Sequence, residues 1–229
     1  MSTLRALADN LWEIHHAEFV VGGLRIGTRT TVLRLDDGSV LLHAPGPLDA
    51  AHVASIRAIG PVGYLLAPNL EHHLFLPAAK DAFPDAAVIG VAGLAARHPT
   101  LRVDHVLDGG LPPALAGQLA VRRLDGAPKL DEHVLYHAAS RTLIGADLVF
   151  NLHGMTGVTR FAMWINGAND RMCVTRLARS AFLSDARAAA ASVRAMADAW
   201  DIGRVIVAHG DVFEGDGNAA LREAWAFAG

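Results

Sequence analysis

The sequence predicts an α+β protein in four layers, in which two β-sheets pack face to face and helices cover their outer faces. Segments with strand patterns are followed by segments with helical patterns, and this order occurs twice along the chain. Antiparallel hairpin signals lie beside strand–helix units, which indicates mixed sheets. The 229 residues are 52% apolar, enough for a substantial core. We therefore expect residues 1–229 to form a single domain.

The first half of the chain is predicted to begin with strands and to continue with strand–helix units. Asp37-Gly38 lies between two apolar runs, which is a strong hairpin signal. Asp49 follows a Pro-Gly-Pro break and is placed to cap a helix. The predicted elements are strands over 18–26, 30–35, 40–43, 62–67 and 86–90, and helices over 49–59, 74–82 and 91–97.

The second half repeats the order, with strands first and helices after them. An alanine-rich stretch over 185–200 has helical periodicity, and Asn218 is expected to cap the last helix. Clusters of Gly, Pro and Asp separate the strands. The predicted elements are strands over 118–124, 133–137, 142–144 and 203–208, and helices over 161–165, 185–200 and 219–227.

Composition excludes several classes of function. The net charge is −3, only 19% of residues are charged, and Lys/Arg blocks are absent, so binding of nucleic acid through phosphate neutralisation is not expected. A single cysteine, Cys173, excludes an internal disulfide and a thiolate-rich zinc site. The start lacks a signal-peptide core, and no apolar run approaches about 20 residues. We expect a cytoplasmic protein with a small-molecule substrate and no membrane partner.

Metal-binding side chains follow three of the predicted strands. His72-His73 follow the strand over 62–67, Asp147 follows 142–144, and His209 directly follows 203–208. Ligand sites tend to collect at the carboxyl ends of strands, and imidazole and carboxylate groups suit zinc and iron. The sequence therefore predicts that these four residues hold one divalent ion, zinc or iron. Each residue alone also has an ordinary interpretation as a turn, cap or loop residue.

Neighbouring polar residues add catalytic candidates. Asn69 could orient water or substrate beside the metal, although Asn after Pro is ordinarily a turn or cap residue. His153 could act as a general acid or as a spare ligand, and Asp147 could be both ligand and catalytic group. Asp211 could accept a hydrogen bond from His209, or it could be a plain loop residue.

Five segments together resemble one known superfamily. They are RTTVLRLDDGSVLLHAPGPLD, LLAPNLEHHLFL, FPDAAVIGVAGL, SRTLIGADLVFN and VIVAHGDVF. The chain resembles the metallo-β-lactamase-like superfamily, which includes glyoxalase II and ribonuclease Z, and within it a branch labelled as a domain of unknown function. The resemblance spans nearly the whole chain and implies an αβ/βα sandwich, which agrees with the four layers predicted above.

The resemblance also implies that one of the two metal sites of the superfamily is lost. The metal loop of the superfamily reads His-x-His-x-Asp-His after a strand, and its first two histidines fall on Pro68 and Leu70. The third histidine of that first site should fall near 128–130, where the chain has Pro, Lys and Leu. We therefore expect this half of the cleft to be apolar and free of metal.

Every position of the second site still holds a coordinating residue. The aspartate of the loop falls on His72, its last histidine on His73, the bridging aspartate on Asp147 and the final histidine on His209. Four protein ligands would fill a tetrahedral shell, which is typical of a structural zinc site. Catalysis would therefore need five-coordination or a loosely held ligand, for which His72 is the best candidate.

Three functions are compatible with this pattern. The first is a mononuclear metal-dependent hydrolase of a small ester, thioester or lactone-like substrate. The second is a non-catalytic binding protein that kept the fold, which the predicted loss of the first site favours. The third is an iron-dependent oxidoreductase that uses the same site. The fold alone does not choose among them, because function depends on the site.

Overall fold

The computed structural model describes residues 3–168 and 170–229, and these residues form sixteen strands and eight α-helices. The strands are β1 (Leu4–Ala8), β2 (Leu11–His16), β3 (Val20–Val21), β4 (Leu24–Arg25), β5 (Thr28–Arg34), β6 (Val40–His43), β7 (Val62–Leu66), β8 (Ala87–Gly90), β9 (His105–Val106), β10 (Leu119–Arg123), β11 (His133–His137), β12 (Thr142–Ile144), β13 (Phe150–Leu152), β14 (Arg171–Cys173), β15 (Arg204–Ile206) and β16 (Phe213–Glu214). The helices are α1 (Ala50–Ile59), α2 (Leu76–Ala82), α3 (Leu94–Arg97), α4 (Pro113–Ala116), α5 (Gly157–Ile165), α6 (Arg176–Phe182), α7 (Ala186–Ala199) and α8 (Gly217–Ala224).

Two mixed sheets form the centre of the fold. The larger sheet has the order β1-β2-β5-β6-β7-β8-β9, antiparallel as far as β6 and parallel from there. The smaller sheet has the order β10-β11-β12-β15-β16, with a parallel pair at β12 and β15. The predicted hairpin at Asp37-Gly38 joins β5 to β6, and Gly38 adopts a φ of 83°, which an L side chain rarely tolerates.

The alternation of side chains in the smaller sheet defines the layers. Leu135 and Ile206 belong to the core cluster that includes the larger sheet, whereas their neighbours Val134 and Val205 belong to the cluster that includes α7 and α8. Because successive strand residues point to opposite faces, the smaller sheet lies between the larger sheet and these helices. The larger sheet is covered by α1, from which Ile56 enters the first cluster. The predicted four-layer α+β fold is confirmed.

Helix caps show both a success and an error of the sequence analysis. Asp49 caps α1 as predicted, because its carboxylate accepts a hydrogen bond from the backbone N–H of His52. The cap of α8 was assigned to the wrong residue. Asp216 accepts from the backbone N–H of Ala219, whereas Asn218 donates to two carbonyls at the end of α7. Asn218 therefore ties α7 to α8.

Two further segments differ from the sequence analysis. Segment 18–26 is not one strand but the short hairpin of β3 and β4, because Gly22 and Gly23 adopt φ values of 56° and 82° and turn the chain. Helix α6 was not predicted, although Thr175 caps it through a bond from the N–H of Ala178. Within the described residues, no helix has the length and apolar character needed to cross a membrane.

Candidate metal centre

Three of the predicted ligands meet at the carboxyl ends of three strands. His72 follows β7, Asp147 follows β12 and His209 follows β15, and the donor atoms of the three lie within 4.8 Å of one another. His72 Nε2 is 3.3 Å from Asp147 Oδ2, and His209 Nε2 is 3.5 Å from Asp147 Oδ1. Each carboxylate oxygen therefore faces one imidazole. Zinc and iron suit this mixture of imidazole and carboxylate donors.

The tautomer of His209 is set by its backbone partner. His209 Nδ1 lies 2.6 Å from the carbonyl oxygen of Gly27, and because a carbonyl only accepts, Nδ1 is the protonated nitrogen. Burial lowers the pKa of His209 to about 4 although Asp147 opposes the shift, so the ring is neutral at pH 7. Its Nε2 lone pair then faces the Asp147 carboxylate, and a cation between them would satisfy both. Of the two interpretations of Asp211, the acceptor for this ring is not supported, because Gly27 accepts from His209.

His72 and Asp147, the other two candidate ligands, shift each other's pKa in opposite directions. Burial disfavours charge on His72, but the carboxylates of Asp147, Glu132 and Glu71 raise its pKa above the usual range. Burial alone would raise the pKa of Asp147, yet His72, with smaller effects from His209 and Asn69, lowers it to about 2. These shifts show that positive charge beside the Asp147 carboxylate is favoured at this place. The centre is built to hold positive charge beside Asp147.

A buried polar network fixes the orientation of Asp147. The Asn69 amide donates to Asp147 Oδ2 and to Glu132, each at 2.9 Å, and its oxygen accepts from the backbone N–H of His72 at 2.7 Å. Glu132 also accepts from the backbone N–H of Asp147 and of its two chain neighbours. Asn69 is fully buried and does not line the cavity that opens beside His72, Asp147 and His209. It therefore takes the predicted turn role and also positions Asp147.

A second network fixes the loop that carries His209. Arg29, on β5, is 2% exposed, and its Nε donates to Glu13 at 2.5 Å. Its two other guanidinium nitrogens donate to the carbonyl oxygens of Val207 and Gly210, the latter at 2.6 Å. These carbonyls flank His209 on both sides. The larger sheet thus holds in place a ligand that follows a strand of the smaller sheet.

His73, the fourth predicted ligand, lies outside this centre. Its Nδ1 is 2.7 Å from His98 Nε2, and the two rings meet edge to face. Residues 72–75 form turns, and the ring of His72 lies beside Asp147 while that of His73 lies beside His98. The structure therefore brings His72, but not His73, together with Asp147 and His209.

His153 also lies away from the centre. Its Nε2 is 2.8 Å from the side-chain oxygen of Asn151, and its own side chain is exposed to solvent. It borders other surface hollows but not the cavity beside His72, Asp147 and His209. The structure thus gives no geometric support to the predicted catalytic role of His153.

Pro68 and Leu70, where the resemblance places the first two histidines of the metal loop, form backbone hydrogen bonds with a neighbouring segment. The carbonyl oxygen of Pro68 accepts from the N–H of His133, and the N–H of Leu70 donates to the carbonyl of Leu130. Pro68 is buried, and Leu70 packs on the main core cluster. A separate group of possible ligands, namely Asp108, Asp131 and His133, lies near this pairing. The Asp131 carboxylate is already paired with Arg123 at 2.8 Å.

A cavity opens beside the centre. Its volume is about 460 Å³, and His72, Asp147 and His209 lie in its wall. The remaining wall comes mostly from the β3–β4 hairpin, α5 and α6. A cavity of this size is typical of a small-molecule site. The centre is therefore accessible to a ligand.

Sequence analysis missed three residues that build the centre. Glu132, Arg29 and Glu71 are charged, and Glu132 and Arg29 are buried while Glu71 lines the cavity. The only signal in the sequence is a charged residue inside or directly beside an apolar strand, as at Arg29 and Glu132. A buried charge needs a partner, so such positions can be suspected, but the partners lie far away in the chain.

Comparisons with known proteins bear on the fold. No protein-family model and no curated protein matches the chain. Among solved structures, the metallo-β-lactamase from Pontibacter korlensis aligns with a TM-score of 0.71 and 15% identity, covering 100% of this chain and 99% of its own. The DIM-1 metallo-β-lactamase aligns with a TM-score of 0.66 and 13% identity, covering 100% and 98%. A metallo-β-lactamase from Hirschia baltica aligns with 0.66 and 14%, covering 99% and 97%. The chain therefore has the fold of the metallo-β-lactamase superfamily.

Proposed function

We propose that the chain is a mononuclear metal-dependent hydrolase of a small ester, thioester or lactone-like substrate. The proposed ligands of a single zinc or iron ion are His72, Asp147 and His209. One observation supports the proposal above all: the Nε2 lone pair of His209 faces the Asp147 carboxylate at 3.5 Å while Nδ1 is committed to Gly27. Metal-bound histidines usually donate their other ring N–H in this way.

The number of donors supports catalysis rather than a structural role. Four protein ligands close a zinc site, whereas three leave a position for water or substrate. Because His73 pairs with His98, the centre has three donors, and they lie in the wall of a cavity. The loosely held ligand that four-coordination would require is not needed.

The residues around the centre have distinct proposed roles. A bound ion would supply Lewis acidity and lower the pKa of water to about 7. Asp147 contributes the only negative charge among the three ligands, and Asn69 holds one of its oxygens. Glu71 lies in the cavity wall, and partial burial together with Asp147 raises its pKa above the usual range. Because it lies in the cavity wall with the three ligands, we propose Glu71 as the group that exchanges a proton with the substrate.

Metal retention by single variants tests the ligand set. After dialysis against a mild chelator, the wild type and His73→Ala should retain about one ion per chain, whereas His72→Ala and Asp147→Ala should lose it. The adjacent histidines form a matched pair, since only one of them faces the centre. Equal retention by wild type and Asp147→Ala would refute the site.

Identity of the ion and activity then separate the competing functions. Zinc or iron with turnover of simple esters, thioesters or lactones supports the hydrolase. Stoichiometric iron with redox-linked colour and no hydrolysis would favour an oxidoreductase, and a protein that retains no ion would favour a binding role. A small-molecule substrate and a cytoplasmic location are part of the same proposal.

A further inference from the structure

The wall of the cavity beside the metal centre is polar at one end and mainly apolar at the other. Its polar groups concentrate at the centre itself, where Glu71, His72, Asp147 and His209 lie. Away from the centre, the wall is built mainly from aromatic and aliphatic side chains of the hairpin and of α5 and α6, such as Phe19, Leu24, Met163 and Phe182. A ligand that spans the cavity must therefore combine one polar group with an apolar body.

The polar residues in the far wall offer little to a polar ligand. Asn166 accepts from the backbone N–H of Leu177 and donates to the carbonyl of Ala162. Thr175 accepts from the backbone N–H of Ala178 as the cap of α6. Because these side chains already serve the backbone, the far end of the cavity behaves as an apolar compartment.

The charges around the cavity disfavour an anionic ligand. Among the residues that the structure describes, no Lys or Arg lines this cavity, whereas Glu71 and Asp147 do. A carboxylate on the substrate would be desolvated beside acidic groups with no fixed cation except the metal to pair with it. An uncharged body meets no such cost.

The apolar compartment is open to solvent. Val21, Leu74 and Leu177 belong to its wall and are 45%, 62% and 63% exposed. An apolar wall that continues to the surface is typical of a ligand-binding groove rather than of a core void.

From these observations we infer that the site takes an uncharged substrate with a medium-length aliphatic or aromatic acyl group, whose apolar body occupies the α5–α6 compartment and whose ester, thioester or lactone group lies at the metal centre. This inference rests on the proposed hydrolase function for its reaction, but the apolar compartment itself can be tested without metal or turnover.

The test is displacement of the uncharged dye Nile red from chelator-treated protein by methyl alkanoates with acyl chains of four to ten carbons. Burial of each methylene contributes about 0.8 kcal/mol, so the apparent affinity should rise about fourfold per added methylene until the compartment is full. The matching alkanoate anions should displace the dye more weakly than their methyl esters at every chain length.

Variants on α6 locate the binding. Ala181 lines the cavity and Ser180 does not, although both are exposed on the same helix. Ala181→Trp should lose most of the chain-length dependence, and Ser180→Trp should keep it. Leu177→Lys places a cation at the exposed mouth of the cavity and should therefore raise the affinity of the alkanoates relative to the esters. This variant replaces Ala181→Trp in the test if Ala181→Trp does not fold.

The outcomes distinguish the inference from the function on which it rests. Affinity that does not depend on chain length, equal loss in both tryptophan variants, or a preference of the wild type for the anions would overturn the inference even if the protein retains metal and hydrolyses short esters. Chain-length dependence in a protein that retains no metal would support the apolar site and refute the hydrolase.

Discussion

Replacing Arg29 by Met should be one of the most destabilising single changes in the chain. Arg29 and Glu13 are 2% and 3% exposed, and removal of one partner leaves the other charge buried. Such a loss typically costs about 3–5 kcal/mol, and the carbonyls of Val207 and Gly210 also lose their donor. For a chain of this length we expect the melting temperature to fall by roughly 6–20 °C.

Arg5 provides a matched control for this change. It pairs with the same Glu13 carboxylate at 2.5 Å, but its side chain is 60% exposed. Exposed ion pairs contribute about 0–1 kcal/mol, so Arg5→Met should lower the free energy of unfolding far less. Both variants are measured by urea denaturation of chelator-treated protein, alongside Glu13→Leu combined with Arg29→Met. The double variant should be more stable than Arg29→Met alone, because no buried charge is left unpaired.

The same substitution should also weaken metal retention. The two carbonyls that Arg29 binds flank His209, so the loop that presents His209 loses its support. We expect Arg29→Met to release the ion at a lower chelator concentration than Arg5→Met. Equal unfolding free energies and equal retention in the two variants would refute the role of Arg29.

Three further predictions concern buried histidines and a glycine. Burial lowers the pKa of His16 and His209 to about 4 and that of His43 to about 3, so their stabilising effect is complete above pH 6.5 and is lost as the pH falls toward 4. The free energy of unfolding of metal-free protein, measured by urea denaturation, should drop over this range by about 1.4 kcal/mol per pH unit for each histidine that takes up its proton on unfolding, and a flat profile would contradict the assignment. His43→Leu should melt at the same or a higher temperature at pH 7, because within the described chain the buried Nε2 of His43 has no hydrogen-bond partner. A buried polar group without a partner costs about 1–3 kcal/mol. A clear loss of stability would show that this nitrogen makes a stabilising hydrogen bond. Gly210→Ala should destabilise the fold by at least about 2 kcal/mol more than Gly154→Ala: both glycines have positive φ, but only at Gly210 would a Cβ meet a backbone carbonyl of β13, at 2.1 Å.

The elements of the fold were predictable where the local signal was strong. Strands β11 and β12 have the predicted boundaries, and α7 begins directly after Asp185, inside the predicted segment. The prediction of a single strand over 18–26 was wrong because Gly22 and Gly23, inside the apolar pattern, reverse the chain. Helix α6 was not predicted because its apolar pattern is short and weak. Whether such a segment forms a helix depends on packing more than on helix propensity.

The candidate site was predictable only in part. The strand ends that carry His72, Asp147 and His209 identified the residues that the structure brings together. His73 was included because the metal loop of the superfamily was aligned with it. In the structure, the turn at residues 72–75 places the His73 ring beside His98. Glu132 was missed because its role depends on hydrogen bonds that no local pattern encodes.

The attachment of His209 also has a consequence for biosynthesis. Its Nδ1 partner, Gly27, is 182 residues earlier in the sequence, and Arg29 precedes Val207 by 178 residues. A growing chain cannot make these contacts until residues 207–210 have left the ribosome, and contacts so distant in sequence slow folding. Until then, the Arg29 guanidinium can donate hydrogen bonds only to Glu13 and to water. We therefore expect the metal centre to be among the last parts of the protein to form, and a nascent chain that stops short of β15 to be unable to hold metal.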